Sequence, residues 1–183
     1  MTDVQSKDPI YSRQVIDMFT VANEYCLFFD KAEEYSCDDI LEYFHKIAPL
    51  LYIKGSLVPS IIVNDPSYNE RFLTHEKYEA LFLLLKKKFE DKDTFFIFDL
   101  NYEATEASLA EQVTDVYQDM KDFVWLYRKE NSLSKENSIA QVKLLFEKRW
   151  GIKLINGLKA IHSIKFDVGE NSALFEEDDD LLF

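Results

Sequence analysis

The chain has 183 residues, of which 47% are hydrophobic and 15% aromatic, so the sequence predicts one folded domain with a sizeable core and excludes a chain disordered throughout. Its net charge is −13, and residues 1–169 still carry −7 when the six acids of residues 170–183 are set aside. An acidic body disfavours direct binding to nucleic acid or to an anionic membrane, because affinity for both comes from Lys and Arg.

The sequence predicts a cytoplasmic protein with reduced thiols. Residues 1–9 are polar, and apolar runs such as residues 81–85 are far too short to cross a bilayer, so we expect neither a secretory signal nor a membrane span. The two cysteines, Cys26 and Cys37, match no metal-binding or redox spacing. We therefore expect both to be free thiols.

Three helices are predicted in the first half of the chain. Residues 9–35 carry apolar side chains at helical spacing, and a second helix begins near residue 38 after a capping signal in residues 36–39. We expect Pro49 to kink or restart this second helix, because proline lacks a backbone N–H. Residues 74–90 form a third helix, apolar enough to be central. Residues 95–98 are either a short strand or an extended segment.

The second half is also predicted to be helical. Periodicity covers residues 104–130, where Ser108 and Glu111 fit a capping box. An apolar seam at heptad spacing follows, and we interpret it as bundle core rather than a dimer zipper: Leu109, Val113, Val116, Met120, Phe123 and Tyr127. Residues 135–150 and 152–166 complete the helices, with a bend at Gly151.

These elements predict an all-α fold, an irregular bundle of five or six helices. The helical domain is expected to cover residues 1–168, and residues 169–183 are expected to form a disordered acidic C-terminal tail. The sequence does not indicate the oligomeric state.

Motifs for metal or cofactor chemistry are incomplete. Glu42 and His45 have the Glu-x-x-His spacing, but a di-iron bundle needs this motif twice with two further glutamates. We therefore predict no metal at this pair. The sequence has no glycine-rich phosphate loop, nucleophile elbow or Cys-x-x-Cys, so we predict no cofactor and assign no catalytic residue.

Two charged patterns are interpreted as surface. Glu111, Asp115, Asp119 and Asp122 form an acidic stripe about 130° from the apolar seam, which predicts a solvated face. The basic run at residues 86–88 either extends from a buried helix end to water or binds an acid. That acid could be the protein's own tail.

The tail has the most informative pattern. Five acids at residues 176–180 precede Leu181, Leu182 and Phe183, whose carboxylate is expected to be free. This order resembles the acidic tip of bacterial single-stranded-DNA-binding proteins, which docks on replication and repair enzymes. Leu182 stands where that tip usually has proline. The resemblance implies these partner-binding residues: Asp178, Asp179, Asp180, Leu181 and Phe183.

The helical body resembles one family. Residues 21–26 (VANEYC), 48–54 (APLLYIK), 115–123 (DVYQDMKDF) and 150–162 (WGIKLINGLKAIH) are similar to domain-of-unknown-function family 5063, found in Bacteroides and relatives. The resemblance covers most of residues 10–166. It implies a helical domain and carries no activity or functional residue.

The sequence favours a non-catalytic binding or adaptor protein. The tail would dock on a basic protein partner, such as a DNA-processing enzyme, without direct contact to nucleic acid or membrane. The alternative is an enzyme whose active site is built from scattered residues of the bundle and leaves no motif.

Overall fold

The computed structural model describes residues 8–98 and 101–166, and the predicted tail lies outside them. The predicted all-α bundle is confirmed. Its α-helices are α1 (Arg13–Phe29), α2 (Cys37–Ser56), α3 (His75–Phe89), α4 (Leu109–Tyr127), α5 (Ser132–Leu145) and α6 (Gly151–Phe166). Two strands, β1 (Thr94–Phe98) and β2 (Ala104–Ser108), and the π-helix Phe146–Trp150 complete the main elements. Short 3-10 helices lie at Pro9–Tyr11, Ala32–Glu34, Pro66–Tyr68 and Glu90–Asp93.

Helix α4 is the centre of the bundle. It packs against α1, α3, α5 and α6, and every residue of its predicted apolar seam is buried. Tyr25 of α1 donates a hydrogen bond to the backbone carbonyl of Val113 at 3.1 Å, which joins the two helices within the core. Because four helices surround α4, more than one of its faces is removed from water.

The helix starts follow from capping side chains. Ser36 caps α2 in a capping box with Asp39, and the Ser108 hydroxyl accepts the backbone N–H of Glu111 at 3.2 Å. Thr74 caps α3 by accepting the backbone N–H of Lys77 at 3.4 Å. These contacts satisfy donors that the first turn of a helix otherwise leaves without a partner.

Pro49 does not restart the second helix, which was one of the two predicted outcomes. Helix α2 runs from Cys37 to Ser56 with Pro49 inside it. Pro49 is exposed, so the carbonyl that loses its helical donor faces the solvent side. The opposite face buries Ile40, Phe44 and Leu51 completely, and this apolar burial outweighs the cost of one missing hydrogen bond.

A hairpin replaces the predicted helical start at residues 104–108. Strand β1 pairs with β2 in antiparallel register, with Thr94 opposite Ser108 and Phe98 opposite Ala104. The buried Asp93 carboxylate fixes the junction with α4: it accepts the Ser108 hydroxyl at 2.9 Å and the Ala110 backbone N–H at 2.8 Å. The prediction extended the helix back to residue 104 because Ser108, the N-cap of α4, is also the last residue of β2.

Helices α5 and α6 are continuous through the π-helix, and Gly151 has helical dihedral angles. The wider π turn places the fully buried Trp150 against the bare backbone of Gly55 in α2. A Cβ atom at Gly55 would lie 2.2 Å from the Trp150 ring, so only glycine allows this close approach. Within residues 8–98 and 101–166, no helix is long and apolar enough to cross a membrane.

Candidate functional site

An open groove separates the end of α1 from α3, with α4 as its floor. It encloses about 680 Å³, within the size range of ligand-binding pockets. Apolar side chains of α1, of the 3-10 helix at Ala32–Glu34, of α3 and of the segment before α3 supply most of its walls. They are Phe29, Ala32, Phe72, Leu73, Ala80, Leu81 and Leu84.

The floor of the groove holds a hydrogen-bonded cluster. The Asp30 carboxylate accepts the Tyr117 hydroxyl at 2.6 Å and the Lys121 ammonium at 2.5 Å. Burial, with the hydrogen bond to Asp30, raises the pKa of Tyr117 well above its usual value. Tyr117 is therefore a protonated donor at neutral pH, and the charge of Asp30 is matched by Lys121.

One rim of the groove is a stack of two rings between two cations. The rings of Phe72 and Trp125 are stacked with centroids 5.3 Å apart. Lys77 lies 5.1 Å from the Phe72 centroid, and Lys129 lies 4.0 Å from the Trp125 centroid. Cations over aromatic faces stabilise such an arrangement.

The carboxylate of Asp122 holds this rim in place. It accepts the backbone N–H groups of Phe72 at 2.8 Å and of Leu73 at 2.9 Å. These two bonds fasten the irregular segment before α3 onto α4, and they orient the Phe72 ring toward the groove. Asp122 therefore fixes the position of the Phe72 side of the groove.

A side pocket of about 180 Å³ extends the groove along α4. It shares Asp30, Phe72 and Lys121 with the main groove and continues to Trp125 and Arg128. Arg128 donates one hydrogen bond, at 2.7 Å, to the side-chain oxygen of Asn23. A guanidinium has five N–H donors, so donors remain for an anion.

The acidic stripe on α4 faces water only in part: Glu111 is exposed as predicted, whereas Asp119 is buried and Asp115 and Asp122 are half-buried. The Asp119 side chain is 1% exposed and binds Arg149, while Asp115 accepts the Tyr78 hydroxyl at 2.7 Å and pairs with Lys153. The prediction failed because it assumed one buried face, whereas α4 is enclosed by four helices. Asp115 therefore fastens α3 and α6 to α4, and Asp119 fastens the π-helix.

The other charged motifs have local partners. Glu42 forms ion pairs with Lys46, at 2.7 Å, and with Lys165, and the His45 ring lies beside those of His162 and Phe166. Lys88 donates to the backbone carbonyls of Glu33 and Tyr35, next to the groove. Within the described ranges, no group of three or more His, Cys, Asp or Glu could hold a metal ion.

The predicted partner-binding residues Asp178, Asp179, Asp180, Leu181 and Phe183 lie outside the described residues. Sequence reasoning missed the groove because its lining comes from elements far apart in the chain. One signal was available on α4: Lys121, Trp125 and Lys129 recur every four residues, which places two cations and an aromatic ring on one helical face.

Comparisons with known proteins agree with this architecture. The crystal structure of protein BF1032 from Bacteroides fragilis is similar to this chain, with a TM-score of 0.79 and 31% sequence identity over 87% of this chain and 96% of that one. A search of curated proteins gives no match. Residues 9–167 match the family described as "Domain of unknown function (DUF5063)". The chain belongs to this family.

Proposed function

We propose that this protein is a non-catalytic binding or adaptor protein whose tail, residues 176–183, docks on a basic partner of the DNA-processing class. The observation that carries the proposal is the order of residue types in the tail. Five acids come first, followed by Leu181 and Phe183. Each group has a separate task in recognition.

The acids of the tail would attract the partner before the two proteins touch, and the apolar residues would be buried once they do. Charges at residues 176–180 steer the tail toward a basic surface and raise the association rate, an effect that salt screens. Phe183 then enters an apolar pocket, where burial of its ring contributes about 1.5–3 kcal/mol. A short segment loses conformational entropy on binding, so we expect a dissociation constant in the micromolar range.

The charge pattern of the described body supports a binding role over a catalytic one. Asp30 is matched by Lys121 and Asp119 by Arg149, so neither of these two carboxylates is left as a free base. Tyr117 is a protonated hydrogen-bond donor rather than a base. These contacts hold elements in place, as expected of a scaffold.

The proposal is tested with the full chain immobilised and a panel of purified replication and repair enzymes. The unmodified chain should retain at least one enzyme, and Phe183→Ala should abolish retention. Replacing residues 178–180 with Asn should weaken binding and flatten its salt dependence. Leu182→Pro, which restores the proline of the resembled tip, should keep or strengthen binding.

Glu170→Gln is the matched control, because it removes an acid outside the run. Equal retention of the same enzymes by the unmodified chain and by Phe183→Ala would contradict the proposal. So would retention of none of them.

A further inference from the structure

We infer that the groove between α1, α3 and α4 is a binding site for residues 176–183 of the same chain. This inference goes beyond the proposed function, because it places a receptor site on the helical body and needs no second protein. It rests on three properties of the groove: its apolar lining, its charge distribution and its distance from the end of α6.

The apolar lining matches Leu181 and Phe183. Leu84 and Phe72 line the main groove, and Phe72 and Trp125 line the side pocket, so the Phe72 ring joins the two. Lys77 and Lys129 lie over faces of the stacked pair Phe72 and Trp125, so a further ring would meet the pair at its edges. Two apolar residues of the tail can therefore be buried within reach of each other.

The charges of the groove favour an acidic occupant. Asp30 is matched by Lys121, so it contributes little repulsion. Exposed Lys77 and Arg128 present positive charge to the groove and side pocket. Glu33 is the opposing acid in the lining of the main groove, and it is also exposed. The groove and side pocket together are lined by three cations and two acids, whereas the whole chain has a net charge of −13.

The end of α6 lies within reach of the groove. Lys165 shares a surface pocket with Asp38 at the start of α2, and Asp38 follows Glu33 of the groove by only five residues. Residues 167–175 form a connector of nine residues, which spans up to about 30 Å when extended. The tail would then enter the groove at its Glu33 end, so that the acids pass Glu33 and reach Lys77, and Leu181 and Phe183 extend toward Phe72 and Trp125.

The inference is tested by tryptophan fluorescence of the full chain. Trp125 lines the side pocket whereas Trp150 is fully buried, so a change in emission reports on the groove. We expect Phe183→Ala to shift the emission to longer wavelength. A synthetic peptide of residues 174–183, which has no tryptophan, should reverse the shift when added to the Phe183→Ala chain, with a dissociation constant in the micromolar range.

Two opposite substitutions of similar size identify the site. In the Phe183→Ala background, Lys77→Gln should weaken peptide binding about twofold to fivefold, and Glu33→Gln should strengthen it by a similar factor, as expected for exposed charges. Lys148→Gln, at an exposed position of the π-helix, is the control and should leave the affinity unchanged. Hydrogen exchange at residues 69–77 provides a second measurement and should slow when the peptide binds.

Each contrary result overturns the inference. A peptide that neither shifts the emission nor slows exchange shows that the groove is not its receptor. Equal affinities in Lys77→Gln, Glu33→Gln and the control place the peptide elsewhere. An emission shift of the unmodified chain that grows with protein concentration assigns the groove to the tail of a second copy, and contradicts docking within one chain. None of these results depends on the enzyme panel that tests the proposed function.

Discussion

Asp119 in α4 and Arg149 in the π-helix form an ion pair in which the carboxylate is 1% exposed and the guanidinium 30% exposed. Nε of Arg149 donates to Oδ2 of Asp119 at 2.9 Å, and a second guanidinium nitrogen binds Oδ1. Burial raises the pKa of Asp119, although the hydrogen bond from Arg149 acts in the opposite direction. The carboxylate therefore depends on this one arginine to remain charged.

Arg149→Ala should lower the free energy of unfolding by about 3 kcal/mol at pH 7, because it leaves a buried charge without a partner. The loss should shrink as the pH falls from 7 toward 4. Asp119 has a raised pKa in the folded state, which binds its proton more tightly than the unfolded state, so acid favours folding at this residue. Urea unfolding at several pH values measures both effects.

Two further variants separate the charge from the packing. Lys148→Ala is the neighbouring exposed control and should change stability by less than about 0.5 kcal/mol. The double variant Asp119→Leu, Arg149→Met should recover most of the lost stability, since it removes both charges and keeps the volume. A loss in Arg149→Ala that is independent of pH would show that packing, not the buried charge, is responsible.

Met120→Asp should destabilise the protein by about 3–5 kcal/mol, because Met120 is fully buried in the apolar seam of α4. The change combines a lost apolar contact with a buried carboxylate that has no partner. Gln118→Asp, two residues earlier on the same helix and only partly buried, is the control and should cost less than about 1 kcal/mol. Thermal unfolding of the two variants provides the comparison, and equal melting temperatures would be inconsistent with a central α4.

The thiols should differ sharply in reactivity. Burial raises the pKa of Cys26 to about 12, whereas Cys37 is only partly buried and has a smaller upward shift. Because the thiolate is the reactive form, the native protein should react once with a thiol reagent at pH 8 and a second time only after unfolding. Cys37→Ser should abolish the first reaction. Rapid labelling of Cys26 in that variant would show that α1 opens readily.

Glu42 and His45 should bind no metal. Glu42 already pairs with Lys46 and Lys165, so a metal would have to displace two cations. Elemental analysis of protein purified without added metal should find no stoichiometric iron, zinc or manganese. A stoichiometric metal that disappears in His45→Ala would reverse this interpretation, and Lys46→Ala serves as the control on the same helix.

The sequence predicted the helices well where apolar residues recur at helical spacing. Apolar spacing located α1, α3 and α4, and the Ser108 cap is present where the pattern placed it. The sequence reasoning considered the hydrogen bond that Pro49 cannot donate and not the burial of Phe44 and Leu51 on the other face of α2. That burial keeps the helix continuous. Propensity is a weak guide when tertiary packing opposes it.

The candidate groove was much less accessible to sequence reasoning. Its walls join Asp30, Phe72 and Lys121, which are 42 and 49 residues apart in the chain, and no local pattern encodes that meeting. The acidic stripe was assigned to water because a helical wheel describes one helix and not its neighbours. Asp119 shows the limit of that projection, since Arg149 covers it from another element.

The π-helix at residues 146–150 sets the directions of two side chains that pack on different neighbours: Arg149 on Asp119 and Trp150 on Gly55. Loss of one residue there would return the segment to α-helical winding and change the directions in which the side chains of the π turn point. Arg149 would then no longer meet Asp119, and the Trp150 ring would leave the bare backbone of Gly55. We therefore expect evolution to tolerate insertions and deletions in the irregular stretch at residues 57–65 and to reject them between Leu145 and Gly151.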